Sequence, residues 1–450
     1  MVTVPELSPL GNVKATAAAG QLRLDVDVAD PALREGLGVA APPPALPAGF
    51  AFPTPVTLIR ERDGSRNAVV DTSWLPGGLT VYTAPWAPSS GAGWANAPVR
   101  LREALATPGV KRVVCAPGVY DRNAIPSSGS LPAASIVCPG GVAVFSTHET
   151  PASLAWTVNT PMVSTWKATR SLVVAVRDES IRTPYGVSVP FTQRASAADV
   201  DANPGSWCLD AGVLYVRTLD ARKPDENIRV YLGVSALRFD GGDLHLEGIE
   251  FHGGGLSGAF FLNGGVTPIR VSAQRCAFRY SPSGNGLTAW GTDLIVLREC
   301  EASDNYLDGF NYGTASGVTT NAMEVSCVAT NNGFSGSGND NASTSHNGAR
   351  VIRVAGEYEG AQGRNVVDVH DGTKSFNWGC AARASRGSAG NNVDWEAGQP
   401  TLVQDVEMWL VECSASGSTA AAVAQAGTKI YHRDNVGIAV SGPGAAIPYA

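Results

Sequence analysis

The sequence predicts an all-β protein, a parallel β-helix, and three observations support this. From Leu244 to its end, the 450-residue chain repeats weakly, and a small residue returns at the same position of each repeat. Subtracting their residue numbers gives steps of 24, 27, 29, 26 and 31, a period typical of solenoids. Each repeat opens with a short alternation of apolar and polar residues, which indicates a strand, and breaks at turn-forming residues. The small residues are Cys276, Cys300, Cys327, Gly356, Ala382 and Cys413.

Composition and charge exclude several classes of protein. Hydrophobic residues make up 44% and charged residues 16% of the chain, a balance that disordered proteins do not have. The formal net charge is −7 without a basic stripe, so we expect no nucleic-acid partner. No apolar run approaches the ~20 residues of a membrane span, so we expect no membrane insertion. The first residues, MVTVPELSPLGNVK, do not resemble a Sec signal peptide.

The region before the repeats predicts an extended arm and a cap. Residues 1–72 combine one alternating stretch, Leu22–Val28, with the Pro/Ala-rich stretch Val39–Val56, and we interpret them as an N-terminal attachment arm. A short helix is predicted over Ala95–Ala106, with Asn96 as its cap. Because the first coil of a solenoid has unpaired strand edges, we expect this helix to cover it.

The β-helix itself is predicted over residues 73–436. Near residues 190–232, the sequence NPGSWCLDAGVLYVRTLD indicates an inserted β-hairpin that turns at 210–212. Residues 437–450 are small and Pro/Gly-rich, and we expect them to form a short C-terminal tail. The eight cysteines include four at the shared small position, which favours a ladder of free thiols inside the coils. No CxxC pair is present, so a zinc site is not expected.

The repeats also predict a polar stripe on the outside of the β-helix. Aligning the repeats on the Gly that follows each second strand groups Trp290, Tyr312, His346, His370 and Glu396. Two positions earlier, the alignment groups Thr288, Phe310, Thr344, Asp368 and Asp394. Because i and i+2 share a strand face and the intervening valines favour the core, we expect this polar set to face solvent. Aromatic rings, imidazoles and carboxylates in one stripe suit a polysaccharide.

Two kinds of catalysis remain open on such a stripe. A glycosidase needs a pair of carboxylates, for which Asp368 and Asp394, with Glu396 next, are the candidates. A polysaccharide lyase needs a base, His346 or His370, and a cation that neutralises the uronate, from Arg350, Arg353 or Arg364. A purely structural role is the alternative, because Asp and His often satisfy turn backbone groups. The predicted catalytic residues are Asp368, Asp394, His370, His346 and Glu396. The predicted substrate-binding residues are Trp290, Tyr312, Asn311, Arg350 and Arg364.

One loop leaves room for a metal ion. Residues Phe334–Gly348 form a longer connection than their counterparts and include Asn339, Asp340 and Asn341, whose oxygens suit Ca²⁺. The loop carries one carboxylate only, so we expect no metal and no other cofactor, with Ca²⁺ as the one open alternative.

Several stretches resemble a known family. The segment from Thr80 through VKRVVCAPGVYD, and the stretches DGFNYG, STSHNGARVIRVAGEY and NVVDVHDG, are similar to pectin-lyase-like right-handed parallel β-helix proteins of bacteriophage tails. The resemblance implies a tailspike or receptor-binding protein that binds, and in many cases depolymerises, a bacterial surface polysaccharide. It further implies a homotrimer held on the virion tail or baseplate through the arm. The family's Gly-Asp-Gly entry motif and its large C-terminal trimerising domain have no counterpart in this sequence.

Two alternatives stay open beside this interpretation. A secreted, extracellular polysaccharide lyase or hydrolase would share the stripe without a virion. A non-catalytic virion structural protein or adhesin would bind the glycan without cleaving it.

Overall fold

In a computed structural model of the protein, the described residues fall into two compact units, Met1–Asp71 and Thr72–Ala450. The described residues are 13–18, 21–26, 42–48, 50–61, 63–74, 78–125, 130–149, 154–182, 188–233, 237–255, 258–264, 267–333, 340–388 and 390–449. No helix among them is long and apolar enough to cross a membrane.

The first unit contains two antiparallel hairpins. The strands Val13–Ala18 and Gln21–Val26 form one, and Val56–Arg60 and Arg66–Val70 form the other. Residues 42–48 of the Pro/Ala-rich stretch have no strand or helix, as expected where proline removes backbone donors. The interpretation of residues 1–72 as an arm rests in part on 1–12, 19–20 and 27–41, which lie outside the described residues.

The second unit is a parallel β-helix whose coils each contribute one strand to three sheets, named A, B and C in chain order. Strands of successive coils pair in parallel in every sheet. Among the described residues, sheet A has 12 strands and sheets B and C have 9 each. The predicted all-β class, a parallel β-helix, is therefore confirmed.

The strand bounds follow the repeat period. Sheet A contains Leu79–Thr83, Val110–Cys115, Ser135–Val137, Gly242–Glu247, Ile269–Gln274, Leu294–Arg298, Asn321–Val325, Arg350–Val354, Lys374–Trp378, Glu407–Val411, Lys429–Arg433 and Ala445–Pro448. Sheet B contains Gly118–Tyr120, Ala143–Ser146, Ile249–His252, Ala277–Arg279, Glu301–Ser303, Val328–Thr330, Glu357–Glu359, Ala381–Arg383 and Ser414–Ser416. Sheet C contains Leu237–Phe239, Phe260–Asn263, Leu287–Trp290, Phe310–Gly313, Ser343–His346, Val366–Val369, Val393–Ala397, Ala420–Ala424 and Val440–Ser441.

The corner between sheets A and B explains the small repeat position. Glu299 and Ser326 adopt left-handed backbone there, both with φ 52°. The next residue in each coil, Cys300 or Cys327, is buried, and its thiol donates to backbone carbonyls of the coil interior. All eight cysteines are free and buried. Backbone pairing aligns Gly356 with Cys380 rather than with Ala382, so the predicted alignment was wrong in that coil.

A short helix lies at the start of the β-helix, but it begins later than predicted. It spans Leu101–Ala106, follows Arg100 as its N-cap residue, and has no side-chain cap, so Asn96 does not have the predicted role. Leu101 and Leu105 join the same core as Val113 of the first coils. The helix therefore closes the apolar interior at the end where no earlier coil covers it.

An insertion between residues 148 and 232 is larger than the predicted 190–232. The predicted hairpin lies within it as Ser206–Asp210 and Val213–Arg217. Its turn uses Ala211 and Gly212, both with positive φ. Its other elements are His148–Glu149, Thr157–Asn159, Met162–Thr169, Val173–Arg182, Ser188–Pro190, Thr192–Gln193, the helix Ala197–Ala202 and Ile228–Leu232. They form two small sheets around a separate core.

The C-terminal residues differ from the predicted tail. Val440–Ser441 pairs with sheet C and Ala445–Pro448 with sheet A, both in parallel. Residues after 437 therefore continue the coil, because short strands of small residues can still pair through their backbone groups.

Candidate functional site

The strand Val366–Val369 determines which predicted residues face solvent. Asp368 lies inside the β-helix with an exposed fraction of 0%, whereas Val367 and Val369, though buried, lie on the outer face of the sheet and line a cleft. The reason is an interior cation: Arg353 extends into the same coil interior from sheet A and pairs with Asp368. The expectation that valines would occupy the core and Asp368 the surface was therefore wrong.

The register of sheet C differs from the Gly-based alignment because the turns after its strands differ in length. Gly313 ends its own strand, whereas Gly348 and Gly372 lie two or three residues beyond theirs. One outward-facing column consists of Thr288, Asn311, Thr344, Val367 and Glu396. The second consists of Trp290, Gly313, His346 and Val369.

Part of each column forms the floor of a cleft, the sheet C cleft, with a volume of about 450 Å³. The floor residues are Asn311, Thr344 and Val367 from the first column and His346 and Val369 from the second. Four predicted site residues line it: Asn311, His346, Arg364 and His370. Asp308, Asn341 and Thr344 add polar groups, Val367 and Val369 add an apolar floor, and Gln399, Pro400 and Thr401 form a wall. A cleft of this size and mixed lining is typical of small-ligand and sugar sites.

A chain of hydrogen bonds fixes the histidine end of the cleft. Asn311 donates from Nδ2 to Oδ2 of Asp308 at 2.6 Å, so its Oδ1 faces Nε2 of His346 at 3.1 Å. Since an amide oxygen only accepts, Nε2 of His346 carries the hydrogen, and Nδ1 keeps the lone pair. The imidazole also lies against Gly313, where an added Cβ would be 3.0 Å from Cε1.

The series of hydrogen bonds continues from the carboxylate of Asp308 to the guanidinium group of Arg364. Asn341 donates to Oδ1 of Asp308 from its backbone N–H at 2.7 Å and from Nδ2 at 3.2 Å. Its own Oδ1 accepts from the backbone N–H of Arg364 at 2.9 Å. Arg364 donates from Nε to Glu396, whose other oxygen accepts from Gln425 at 2.5 Å. The polar groups beneath the cleft are therefore held by one another rather than by solvent.

Burial shifts the pKa values of two titratable groups of the cleft in opposite directions. It raises the pKa of Asp308 to about 6, although the hydrogen bonds from Asn311 and Asn341 oppose this shift. It lowers the pKa of His346 to about 4, and the neighbouring His370 adds to the effect. At neutral pH the imidazole of His346 is therefore neutral and able to accept a proton.

Two aromatic neighbours surround His346. The ring of His370 lies edge-on, with a centroid distance of 5.8 Å. The ring of Trp290, two coils away across Gly313, lies at a centroid distance of 5.4 Å. His370 has φ 68°, and its backbone N–H donates to Oε1 of Gln404 at 3.2 Å, so this turn is fixed by a side chain. Trp290 is half-buried at the edge of the cleft and does not line it.

The remaining predicted residues do not line the cleft. Tyr312 is fully buried in the core, so its predicted contact with substrate is wrong. Arg350 is half-buried at the start of a strand of sheet A, and its substrate-binding role stays a prediction. Glu396 is fully buried and bonded to Arg364 behind the cleft. Asp394 is fully buried too, with Oδ1 accepting from Asn365 at 2.7 Å and from Ser418 at 2.6 Å. The proposed pairing of Asp368 with Asp394 is therefore wrong.

Sequence reasoning missed Asp308, the carboxyl group of the cleft. It opens the DGFNYG stretch, where Asp-Gly indicates a turn and nothing in the local pattern indicates a buried acid. Asn341 was considered only as a calcium ligand. Among the described residues, no group of three His, Cys, Asp or Glu side chains can hold a metal ion, and residues 334–339 of that loop lie outside them.

The arrangement offers one base, one acid and one cation at a single cleft. A neutral imidazole can take a proton, a carboxyl group with a pKa of about 6 can return one, and a guanidinium group can stabilise negative charge.

Comparisons with known proteins find similarity in fold alone. No protein-family model matches the chain, and no curated protein matches it. A solved structure titled "Glycoside hydrolase" has a TM-score of 0.50 at 10% identity, over 82% of this chain and 96% of that one. The complex of XylC with xylose has a TM-score of 0.51 at 8% identity, over 82% and 66%. Pectate lyase Pel9A has a TM-score of 0.46 at 14% identity, over 81% and 78%. At such identities, the first two likenesses show a shared fold, the parallel β-helix.

Proposed function

We propose that the sheet C cleft binds a uronate-containing polysaccharide and cleaves it by β-elimination. The observation that carries this proposal is the meeting of His346, Asp308 and Arg364 at one cleft. Lyase chemistry needs a base, an acid for the leaving group and a cation for the uronate, and these three side chains match those needs.

The roles follow from the geometry. His346 Nδ1 takes the proton from the carbon beside the uronate carboxylate. The electron pair left behind forms a carbon–carbon double bond and expels the glycosidic oxygen of the neighbouring carbon. Asp308, in its protonated form, gives its proton to that oxygen. Arg364 stabilises the negative charge that develops on the carboxylate.

Hydrolysis by two carboxylates has less support. Among the described residues that line the cleft, Asp308 is the only carboxylate, because Asp368 faces the interior and Glu396 is bonded behind Arg364. A glycosidase of the usual kind requires a second carboxyl group across the scissile bond. The apolar floor of Val367 and Val369 supports sugar binding in either case, because CH-rich sugar faces pack on apolar side chains.

The source of the polymer is part of the proposal. On the sequence resemblance, we propose a bacterial surface polysaccharide as substrate and a homotrimer on a phage tail, attached through residues 1–72, as the assembly. Mass measurement of the intact protein in solution tests the trimer, and a monomer would contradict it.

The direct test is incubation of the full chain with a panel of uronate-containing polysaccharides, including alginate, polygalacturonate and capsules purified from bacteria. The expected product is an oligosaccharide with an unsaturated uronate at its non-reducing end, detected by ultraviolet absorbance and mass spectrometry. The variant Asp434→Asn serves as a control, because Asp434 is an exposed turn residue remote from the cleft lining.

Two other outcomes would contradict the proposal in different ways. New reducing ends without ultraviolet absorbance would indicate hydrolysis instead. Saturable binding of a polysaccharide without any product, with an affinity that no variant of the cleft changes, would indicate an adhesin whose glycan site lies elsewhere.

A further inference from the structure

A second cavity, of about 390 Å³, lies at the outer edge of sheet B, where the insertion meets the coils. It shares no lining residue with the sheet C cleft. Its size also falls within the range of small-ligand pockets. We refer to it as the sheet B cavity and define its floor by Tyr280, Asp304, Asn331, Gly360 and Ala384.

The floor consists of equivalent residues from five successive coils. Each follows the last residue of a sheet B strand and adopts left-handed backbone, with φ between 52° and 66°. Stacked coils lie ~4.8 Å apart, so four such steps give a floor of roughly 19 Å. That length exceeds a single sugar ring, so the cavity suits one unit of a chain with room for its neighbours.

Hydrogen bonds along the floor hold the polar groups in place. Asn331 donates from Nδ2 to Oδ1 of Asp304 at 2.6 Å. Arg386 donates to Oδ1 of the same Asn331 and, from Nε, to the carbonyl of Gly360 at 2.7 Å. Four consecutive coils are therefore linked by side chains, and the floor is built before any ligand arrives.

The insertion supplies the end wall. Arg177, which is buried, donates from Nη2 to the carbonyl of Asp304 at 3.5 Å and lies over the ring of Tyr280 at 5.0 Å. Its Nη1 donates to the carbonyl of Ser188 within the insertion at 3.1 Å. Arg182, at the end of the same strand, lines the cavity. The insertion is thus fixed to the coils at the point where the cavity forms.

The charges that line the cavity balance in number, and some of them form ion pairs. Three arginines face three carboxylates: Arg182, Arg279, Arg386, Glu301, Asp304 and Glu359. Glu301 accepts from Arg279 and from Ser303, and Glu359 accepts from Arg383 at 2.8 Å. The lining therefore carries no net charge that would attract an ion, and a charged ligand would lose its hydration on entry.

Hydroxyl groups suit this lining better. Carboxylates accept hydrogen bonds from hydroxyls, and guanidinium groups donate to them, without a change in net charge. Within the described part of the chain, the hydroxyls of Thr330 and Tyr280 make no hydrogen bond to protein, so both can serve a ligand.

We propose that the sheet B cavity is a second carbohydrate site, which binds a neutral sugar unit of a polysaccharide independently of the sheet C cleft. The proposal does not depend on cleavage at the cleft. A polymer bound at a second face of the same β-helix would dissociate more slowly from the protein than one bound at the cleft alone.

The test is a binding titration of the full chain with neutral oligosaccharides of glucose, galactose, mannose and N-acetylglucosamine, followed by saturation-transfer NMR and calorimetry. Thr330→Trp fills the cavity and is expected to weaken binding at least ~10-fold, a loss of about 1.4 kcal/mol. Arg386→Ala removes the link to Asn331 and should weaken binding too. The control Arg275→Ala removes an arginine that pairs with Glu247 outside the cavity. The cleft variant His346→Gln should leave binding unchanged.

Three results would overturn the proposal. One is the absence of binding by every neutral oligosaccharide at millimolar concentration. Another is binding that Thr330→Trp and Arg386→Ala leave intact while both variants keep the wild-type melting temperature. The third is a preference for glucuronate or glucosamine oligomers that Thr330→Trp abolishes, because the ligand class would then be charged.

Discussion

Arg353 and Asp368 form an ion pair inside the β-helix, with Nη1 3.4 Å from Oδ1 and an exposed fraction of 0% for both side chains. Ser345 and Ser375 donate to the same carboxylate. The guanidinium group also approaches Glu324, with 3.6 Å between Nε and Oε1. This polar network replaces apolar packing in the coils near the cleft. A charge buried this way is tolerated because its partners are buried beside it.

Asp368→Asn is expected to lower the free energy of unfolding by about 3 kcal/mol, because it leaves Arg353 with one fewer buried anion. Activity per folded molecule should stay within about twofold of wild type, since Asp368 faces away from the cleft. Chemical denaturation and activity assays measure both. Asp434→Asn, at an exposed position, is the matched control and should change neither quantity. A loss of activity in the fully folded Asp368→Asn variant would indicate that Asp368 takes part in catalysis.

His346→Gln is expected to reduce cleavage at least ~100-fold, because it removes the base and keeps an N–H donor near Asn311. The melting temperature should change little, since the ring is only partly buried. His245→Gln on sheet A, where Nε2 lies 3.8 Å from Glu247, is the histidine control. If both variants retain full activity, His370 becomes the remaining histidine of the cleft that can act as base.

The rate of cleavage should show a bell-shaped dependence on pH. Cleavage rises as His346 loses its proton through about pH 4 and falls as Asp308 loses its proton through about pH 6, with a maximum near pH 5. Asp308→Asn should abolish the fall on the alkaline side together with most of the activity. A profile of kcat/KM measures the two limbs. Activity that instead increases through pH 6 would indicate that Asp308 acts as a base.

Gly313→Ala tests how the base is positioned. The added Cβ would lie 3.0 Å from Cε1 of His346, so the ring must shift by a few tenths of an ångström. We expect kcat to fall roughly 10-fold with little change in KM, because small misplacements of a catalytic group reduce the rate steeply. The pH profile should keep both limbs, which separates displacement of the ring from its loss. Unchanged kcat would show that the ring position is not critical.

The fold could be predicted because a β-helix repeats its signals locally. Every coil carries its own alternation, its own small corner residue and its own turn, so an error in one coil does not affect the next. The cleft could be predicted only in part. His346, His370, Asn311 and Arg364 were found because they cluster on successive coils, and the cleft collects residues from several adjacent positions.

The inside and outside faces of sheet C could not be predicted with the same certainty. The assignment of Asp368 and Val367 relied on the rule that valines are buried and acids exposed. Here both residues depend on distant partners: Arg353, 15 positions away in the sequence, neutralises Asp368, and Val367 lines the cleft together with Gln399. Neither partner is recognisable from the local pattern.

Asp394 provides a test that is independent of catalysis. Its carboxyl group is fully buried, Oδ2 has no hydrogen-bonding partner in the described part of the chain, and burial raises its pKa to about 6 from 3.8. The folded state therefore binds the proton more tightly than the unfolded state. This contribution to stability is complete below about pH 4 and is lost as the pH rises through about 6.

Asp394→Asn keeps the acceptor for Asn365 and Ser418 but cannot ionise. The free energy of unfolding of the variant, relative to wild type, should therefore increase by about 2 kcal/mol from pH 4 to pH 8, since one pKa unit corresponds to about 1.4 kcal/mol. Denaturation at both pH values measures the difference, in which other titrating groups cancel. Cleavage should stay within about twofold of wild type. A relative stability that does not change with pH would mean that Asp394 is ionised at pH 4 in the folded protein, with hydrogen bonds that outweigh its burial.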